Sequence, residues 1–276
     1  MTKLYIASSG HIGSAKANSK PEDPVQNHNA ASSNKGTGWP FARLDAVYGD
    51  LGVRHITIDL ETRPDDDASG AIACKPDGNA PVAPVLYQIE AVSVFVSLYS
   101  TPEANLPSGF RIRTYTRAEF PERDLLGILA AEISHADSWH GFAWELHEIP
   151  VLLARAAIHG LNFSTVFSGR NELDLASAGM KNTIQLGHLC SKMGIPSIQS
   201  GGTDTIDCSP VCEARATALW LLESRYACDP DIAVTQARWA LLAGWISSQP
   251  RLDHLRLFVT ASPQPPVIPR TGSSET

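Results

Sequence analysis

The hydrophobic period of this chain switches from two to roughly four part-way along, and that switch limits the fold more than any other feature. His55 to Thr62 alternates, with Ile56, Ile58 and Leu60 on one face and Thr57, Asp59 and Glu61 on the other, as a strand requires. Val85 to Leu98 and Phe110 to Thr116 are rich in β-branched and aromatic residues, so three consecutive strands are expected. Helical spacing begins at Asp124 to Ile133 through Leu125, Leu129 and Ile133. A strand-like piece, Ser138 to Phe142, precedes a second helix at Glu148 to His159. After a loop containing Leu173, Asp174 and Leu175, helical patterns recur at Ile184 to Met193, Val211 to Tyr226 and Asp231 to Ile246. The last of these is read as opening on Asp229 as cap with Pro230 in its first turn. A strand meander, a helix, another strand and then mostly helices predict an α/β domain with a mixed sheet.

The flanks differ from this pattern. Residues 1–44 are rich in Ser, Asn, Ala, Gly and Lys and read as a mobile arm, while 261–276 carry too much proline to pack and read as a disordered tail. The folded domain is therefore expected over 45–260. With 276 residues, 43% of them hydrophobic, the chain can bury a large core. No apolar run reaches the roughly 18 residues of a spanning helix, and Leu4 to Ala7 is too short for a signal-peptide core. Five cysteines without framework spacing suit a reducing compartment, so the cytoplasm is the expected location.

Charge and motifs narrow the chemistry. The 22 basic and 29 acidic residues give a net charge of -7, which excludes a protein that coats nucleic acid by bulk charge but not one that grips it in a local groove with metal ions. No Gly-x-Gly-x-x-Gly follows the first strand and no phosphate-cradling Gly-Lys-Ser/Thr loop occurs, which removes the dinucleotide-binding and P-loop readings. Asp59 and Glu61, two apart on a strand, point to the same side. Such a carboxylate pair is stable either in water, on an edge strand, or around a hard divalent cation such as Mg²⁺ or Mn²⁺.

Ile58-Asp59-Leu60-Glu61-Thr62, then Pro64-Asp65 and Tyr87-Gln88-Ile89-Glu90-Ala91, resembles the opening of the DEDD superfamily of 3′ to 5′ exonucleases. The nearest group is the predicted exonucleases related to the proofreading domain of B-family DNA polymerases. The resemblance implies a ribonuclease H-like α/β fold, a mixed sheet flanked by helices, and four metal-binding acids. Asp59 and Glu61 would be the first two. Trp139 to Leu152 is similar to the family's second motif, with Glu148 where the family has Asp. Glu172-Leu173-Asp174-Leu175 and Met193-Gly194-Ile195-Pro196 follow in family order.

The third motif admits two registers. Anchoring on Thr217 puts Glu213 in the acid position and sends Thr217 and Leu221 along the same helix side, and this register is preferred. Anchoring on Cys212 puts Arg215 there, a residue that binds no metal. Neither register supplies the Tyr or His that precedes the family's last acid, since Cys208 and Ser209, or Pro210 and Val211, stand there instead. The resemblance thus implies a metal-dependent 3′ to 5′ exonuclease-like protein acting on single-stranded DNA or RNA ends. Asp59, Glu61, Glu148 and Glu213 would hold Mg²⁺ or Mn²⁺, and two cations roughly 4 Å apart would drive the hydrolysis. The alternative is a degenerate exonuclease fold that binds nucleic acid or protein without catalysis.

Weaker signals have plainer readings. His188, Cys190, Cys208 and Cys212 match zinc-finger spacings poorly and read as free thiols with a nearby His. Arg111, Arg113, Arg117 and Arg123 form the densest basic cluster, a solvated sheet face or a phosphate contact. Trp239 and Trp245 read as core.

Overall fold

A computed structural model describes residues 52–65, 84–144, 148–163, 166–167, 171–174, 186–196, 208–227 and 231–261. The expected arm over 1–44 and all of the expected tail but Ala261 lie outside these residues. The described elements are β1 (Val53–Pro64), β2 (Tyr87–Tyr99), β3 (Gly109–Thr116), α1 (Glu122–Ser134), β4 (Ser138–Gly141), α2 (Ile149–Ile158), β5 (Asn171–Asp174), α3 (Leu186–Lys192), α4 (Ser209–Ala227) and α5 (Ile232–Ser247). A 3₁₀ stretch, Pro250–Leu255, and a short helix, Leu257–Thr260, follow.

The five strands form one mixed sheet in the order β3-β2-β1-β4-β5. β1 is antiparallel to β2, β2 is antiparallel to β3, and β4 and β5 run parallel to β1. This is the α/β, ribonuclease H-like architecture that the resemblance implies. Two local readings change. The segment around Leu173 and Asp174 is not loop throughout: Asn171–Asp174 is an edge strand paired with β4, which supplies the partner that a four-residue piece needs. The helix α5 is capped by Asp231, whose side chain accepts from the Ala233 N–H at 2.9 Å, while Asp229 and Pro230 lie outside the described residues.

Period-2 alternation divides β1 between two cores. Ile56, Ile58 and Leu60 join Val92, Val94 and Val96 of β2 in a layer covered by Leu125, Ile128 and Leu129 of α1 and Val151 and Leu152 of α2. On the opposite face, Phe95 and Ile112 pack with Leu219 and Trp220 of α4, Trp239, Leu242 and Ile246 of α5, and Phe258. Because both faces of β2 are covered, it reads as a near-continuous apolar run rather than as an alternation. β1 differs. Its second face, turned to α4, carries His55, Thr57, Asp59 and Glu61, so the helix lies over a polar strip instead of apolar side chains.

The α1 layer also contains charge. Glu132 receives hydrogen bonds from Arg54, from Arg111 at 2.9 and 3.0 Å, and from the Tyr115 hydroxyl at 3.1 Å. The buried carboxylate is thereby compensated from β1 and β3 at once. Arg111 of the basic cluster is spent in this way, and Arg117 bonds Gln88 at 2.9 Å. Trp239 is buried, with its indole N–H donating to the Phe258 carbonyl at 2.7 Å, and belongs to the core as expected.

Candidate functional site: an acidic pair closed by an arginine

The β1–β2 register shifts between Glu61 and Thr62, leaving Glu90 as an extra residue on β2. A bulge of this kind bends the strand and re-aims the side chains beside it. Asp59 and Glu61, immediately before the bulge, both face α4. The helix answers with Arg215. Its Nε donates to Asp59 Oδ1 and Oδ2 at 3.1 and 3.0 Å, and its Nη2 donates to Glu61 Oε2 at 2.7 Å and to the Leu60 carbonyl at 3.2 Å. Nη2 also lies 2.8 Å from Asp59 Oδ2. One planar guanidinium thus bridges both carboxylates, a geometry for which arginine is better suited than lysine.

The pair is largely sealed. The side chains of Asp59 and Arg215 are 11% and 17% exposed, and that of Glu61 is 32% exposed. Burial lifts the Asp59 carboxyl to about 6, against the opposing pull of Arg215. Arg215 itself is held firmly protonated, since Asp59 and Glu61 outweigh the cost of burying it.

The other sequence-predicted acids stand elsewhere. Glu213 precedes Arg215 by two residues, a rotation of roughly 200° around a helix, and so leaves the strip. It is buried with its Oε2 3.0 Å from His254 Nε2 and its Oε1 3.9 Å from Arg251 Nη1, both on the 3₁₀ stretch. Thr217 donates back to the Glu213 carbonyl at 2.8 Å, a bond within the helix. Glu148 stands half-buried directly before α2, where a negative charge is favoured by the helix dipole. Among the described residues, no three His, Cys, Asp or Glu side chains surround a point at which a metal ion could sit.

The polar strip continues toward the other end of α4. His55 bonds Ser138 through Nδ1, the His55 and His140 rings stack at 6.4 Å, and His140 Nδ1 lies 3.7 Å from Glu223 Oε1. Burial pushes Glu223 up to about 7, opposed by Arg238, and pushes His140 down to about 4. Sequence reading did not single out His55, His140 or Glu223. The only signal available was that β1 carries polar residues on a face that a buried helix must cover.

The second-motif segment is held by a close approach. A Cβ at Gly141, the end of β4, would stand 1.1 Å from the Trp144 indole Nε1, so only glycine fits there. Trp144 packs edge-on against Trp139 at 5.1 Å, and Ala143 takes a φ of 57° to turn the chain between them.

No protein-family model and no curated protein sequence matches the chain. Among solved structures it is similar to the family B DNA polymerase from the hyperthermophilic archaeon Pyrobaculum calidifontis, with 13% identity and a TM-score of 0.42. The match covers 72% of this chain and 29% of that one. Among the described residues, no helix is long and apolar enough to cross a membrane.

Proposed function

We propose that this chain is a diverged exonuclease-type fold that works as a binding module, without metal-dependent hydrolysis. One observation carries the reading: Arg215 occupies the space between Asp59 and Glu61 with its own positive charge. A cation bound there would need both carboxylates and a near-octahedral set of oxygens. The donor set does not fit this requirement, because the first two acids are bonded to a guanidinium and Glu213 faces His254. In this reading the DEDD-like residues are retained as a structural ion pair, and the register that places Arg215 in the third motif is the relevant one. Single-stranded DNA or RNA is the first ligand to examine, given the resemblance of the motifs.

The rival reading is a metal-dependent 3′ to 5′ exonuclease in which Asp59, Glu61, Glu148 and Glu213 hold Mg²⁺ or Mn²⁺. Its support is that Asp59 and Glu61 face the same helix in the way the motif implies. Purified protein incubated with a 5′-labelled single-stranded DNA oligonucleotide decides between them. The expected result is an intact oligonucleotide with either metal. A metal-dependent ladder shortening from the 3′ end, absent in an Asp59→Ala/Glu61→Ala control, would sink the binding-module reading. Fluorescence anisotropy with the same oligonucleotide then measures binding directly.

A further inference from the structure

We propose that the outer edge of β3 is a docking surface for an extended, acidic peptide segment of a partner protein, bound by strand addition. β3 ends the sheet, and β2 is its only partner strand among the described residues. Backbone groups along an antiparallel strand alternate in direction, and Arg251 marks which ones face outward: its Nη2 donates to the Ile112 carbonyl at 2.9 Å from beyond the sheet. Thr114 and Thr116, at even steps from Ile112, therefore turn their N–H and C=O groups away from β2 as well. The Thr116 carbonyl accepts from the Glu119 and Phe120 N–H groups of the following turn, at 3.1 and 2.9 Å. The Ile112 N–H, both groups of Thr114 and the Thr116 N–H meet no protein partner among the described residues. Thr114 is anchored through its side chain, whose Oγ1 donates to Ser93 Oγ at 2.9 Å, so its main chain stays open to an added strand.

The side chains along the edge select the partner. Arg111, Arg113 and Tyr115 share the α1 face of β3, opposite Val96, Val94 and Val92. Glu132 already holds Arg111, whereas no carboxylate pairs with Arg113 among the described residues. Arg113 is exposed, with its guanidinium over the Tyr115 ring at 4.7 Å from the centroid. A glutamate opposite Arg113 on an added strand makes a cross-strand ion pair, with Cβ atoms about 5 Å apart. Arg251, 53% exposed on the 3₁₀ stretch, supplies a second cation beside the same edge. A second copy of this chain fits worse. In an antiparallel self-pairing centred on any residue from Ile112 to Thr114, Arg113 stands opposite or diagonal to an arginine of the other copy, and like charges repel there. Nucleic acid offers phosphates to Arg113 but no alternating N–H and C=O groups to the Thr114 main chain. An extended acidic peptide offers both.

β2 separates this edge from Asp59 and Glu61 on β1, so the proposal does not rest on the function proposed above, and a nuclease assay does not bear on it. Full-length protein is titrated into a short fluorescein-labelled peptide that alternates Val and Glu, and fluorescence anisotropy is recorded. Binding that weakens with added salt is expected. With Glu opposite Arg113, the Val residues stand opposite Ile112 and Thr114, so N-methylation of the Val residues should abolish binding. N-methylation of the Glu residues, whose N–H groups face away, should leave it intact. Arg113→Glu should weaken binding about tenfold. Thr114→Pro removes an outward N–H at an edge position where proline is tolerated and should abolish binding, with circular dichroism checking the fold. No binding by the wild type overturns the proposal, as does equal binding of the two methylated peptides or wild-type affinity in Thr114→Pro. A dimer in sedimentation that Thr114→Pro dissolves would assign the edge to a second copy, and displacement of the peptide by a single-stranded oligonucleotide would assign it to nucleic acid; either result overturns the choice of partner.

Discussion

Arg215 sets its Nε 3.0 Å from Asp59 Oδ2 and reaches on with Nη2 to Glu61 at 2.7 Å, so one guanidinium holds the two acids of β1 against α4. Removing one partner of a buried ion pair leaves uncompensated charge, which costs about 3–5 kcal/mol. Arg215→Ala is expected to lose stability on that scale in urea denaturation. The triple variant Asp59→Asn/Glu61→Gln/Arg215→Met, which removes every charge, should lose less than the single one. A loss that simply adds across the three sites would show that they do not act as a unit.

Replacing the internal cation with an acid should invite an external one. Arg215→Asp places three carboxylates around the strip, and millimolar Mn²⁺ is expected to raise the melting temperature of this variant but not of the wild type. Ligand at about 100 times its Kd adds about 2.7 kcal/mol. An equal rise in the wild type would count against the closed acidic pair.

Glu223 makes stability depend on pH in a direction that can be worked out. Its carboxyl is raised from 4.5 to about 7, so the folded state binds a proton that the unfolded chain has released. The stability this gives is fully present below 4.5 and is lost as pH rises to about 7. Glu223→Gln keeps the site neutral throughout. In urea denaturation the variant should exceed the wild type by up to about 3 kcal/mol at pH 8, with the gap falling below about 1 kcal/mol at pH 5. A gap that does not change with pH would show that Glu223 is ionised throughout.

Gly141→Ala tests the turn after β4. The added Cβ meets the Trp144 indole at 1.1 Å, and Trp144 is 1% exposed. Overpacking typically costs about 1–3 kcal/mol, and the upper end or more is expected here. A melting temperature within experimental error of the wild type would show that the turn can open.

Sequence reading reached the sheet because the strands carry their own evidence. Alternation in His55 to Thr62 placed Ile56, Ile58 and Leu60 together, and they are together in the α1 layer. It missed β5 because a four-residue edge strand has too few residues for a period and depends on pairing with β4. It placed the cap of α5 at Asp229 rather than Asp231 because Asp-Pro and Asp-Ile are both acceptable helix starts, and only the bond to Ala233 distinguishes them.

The acidic pair marks the same boundary. That Asp59 and Glu61 share a face follows from the period of a strand, and no folding information is needed to see it. What faces them across the gap is a residue 156 positions away from Asp59, on a helix whose two candidate registers both fit the string of letters and whose helical spacing favours the one that puts Glu213 there. A rotation of roughly 200° separates Glu213 from Arg215, and packing of Trp220 and Leu219 on Phe95 and Ile112 fixes which of them meets the strand. The sequence by itself determined the two carboxylates and their common direction. Only the tertiary structure decided that their counter-charge is an arginine of the same chain, because helix rotation is set by long-range burial rather than by local spacing.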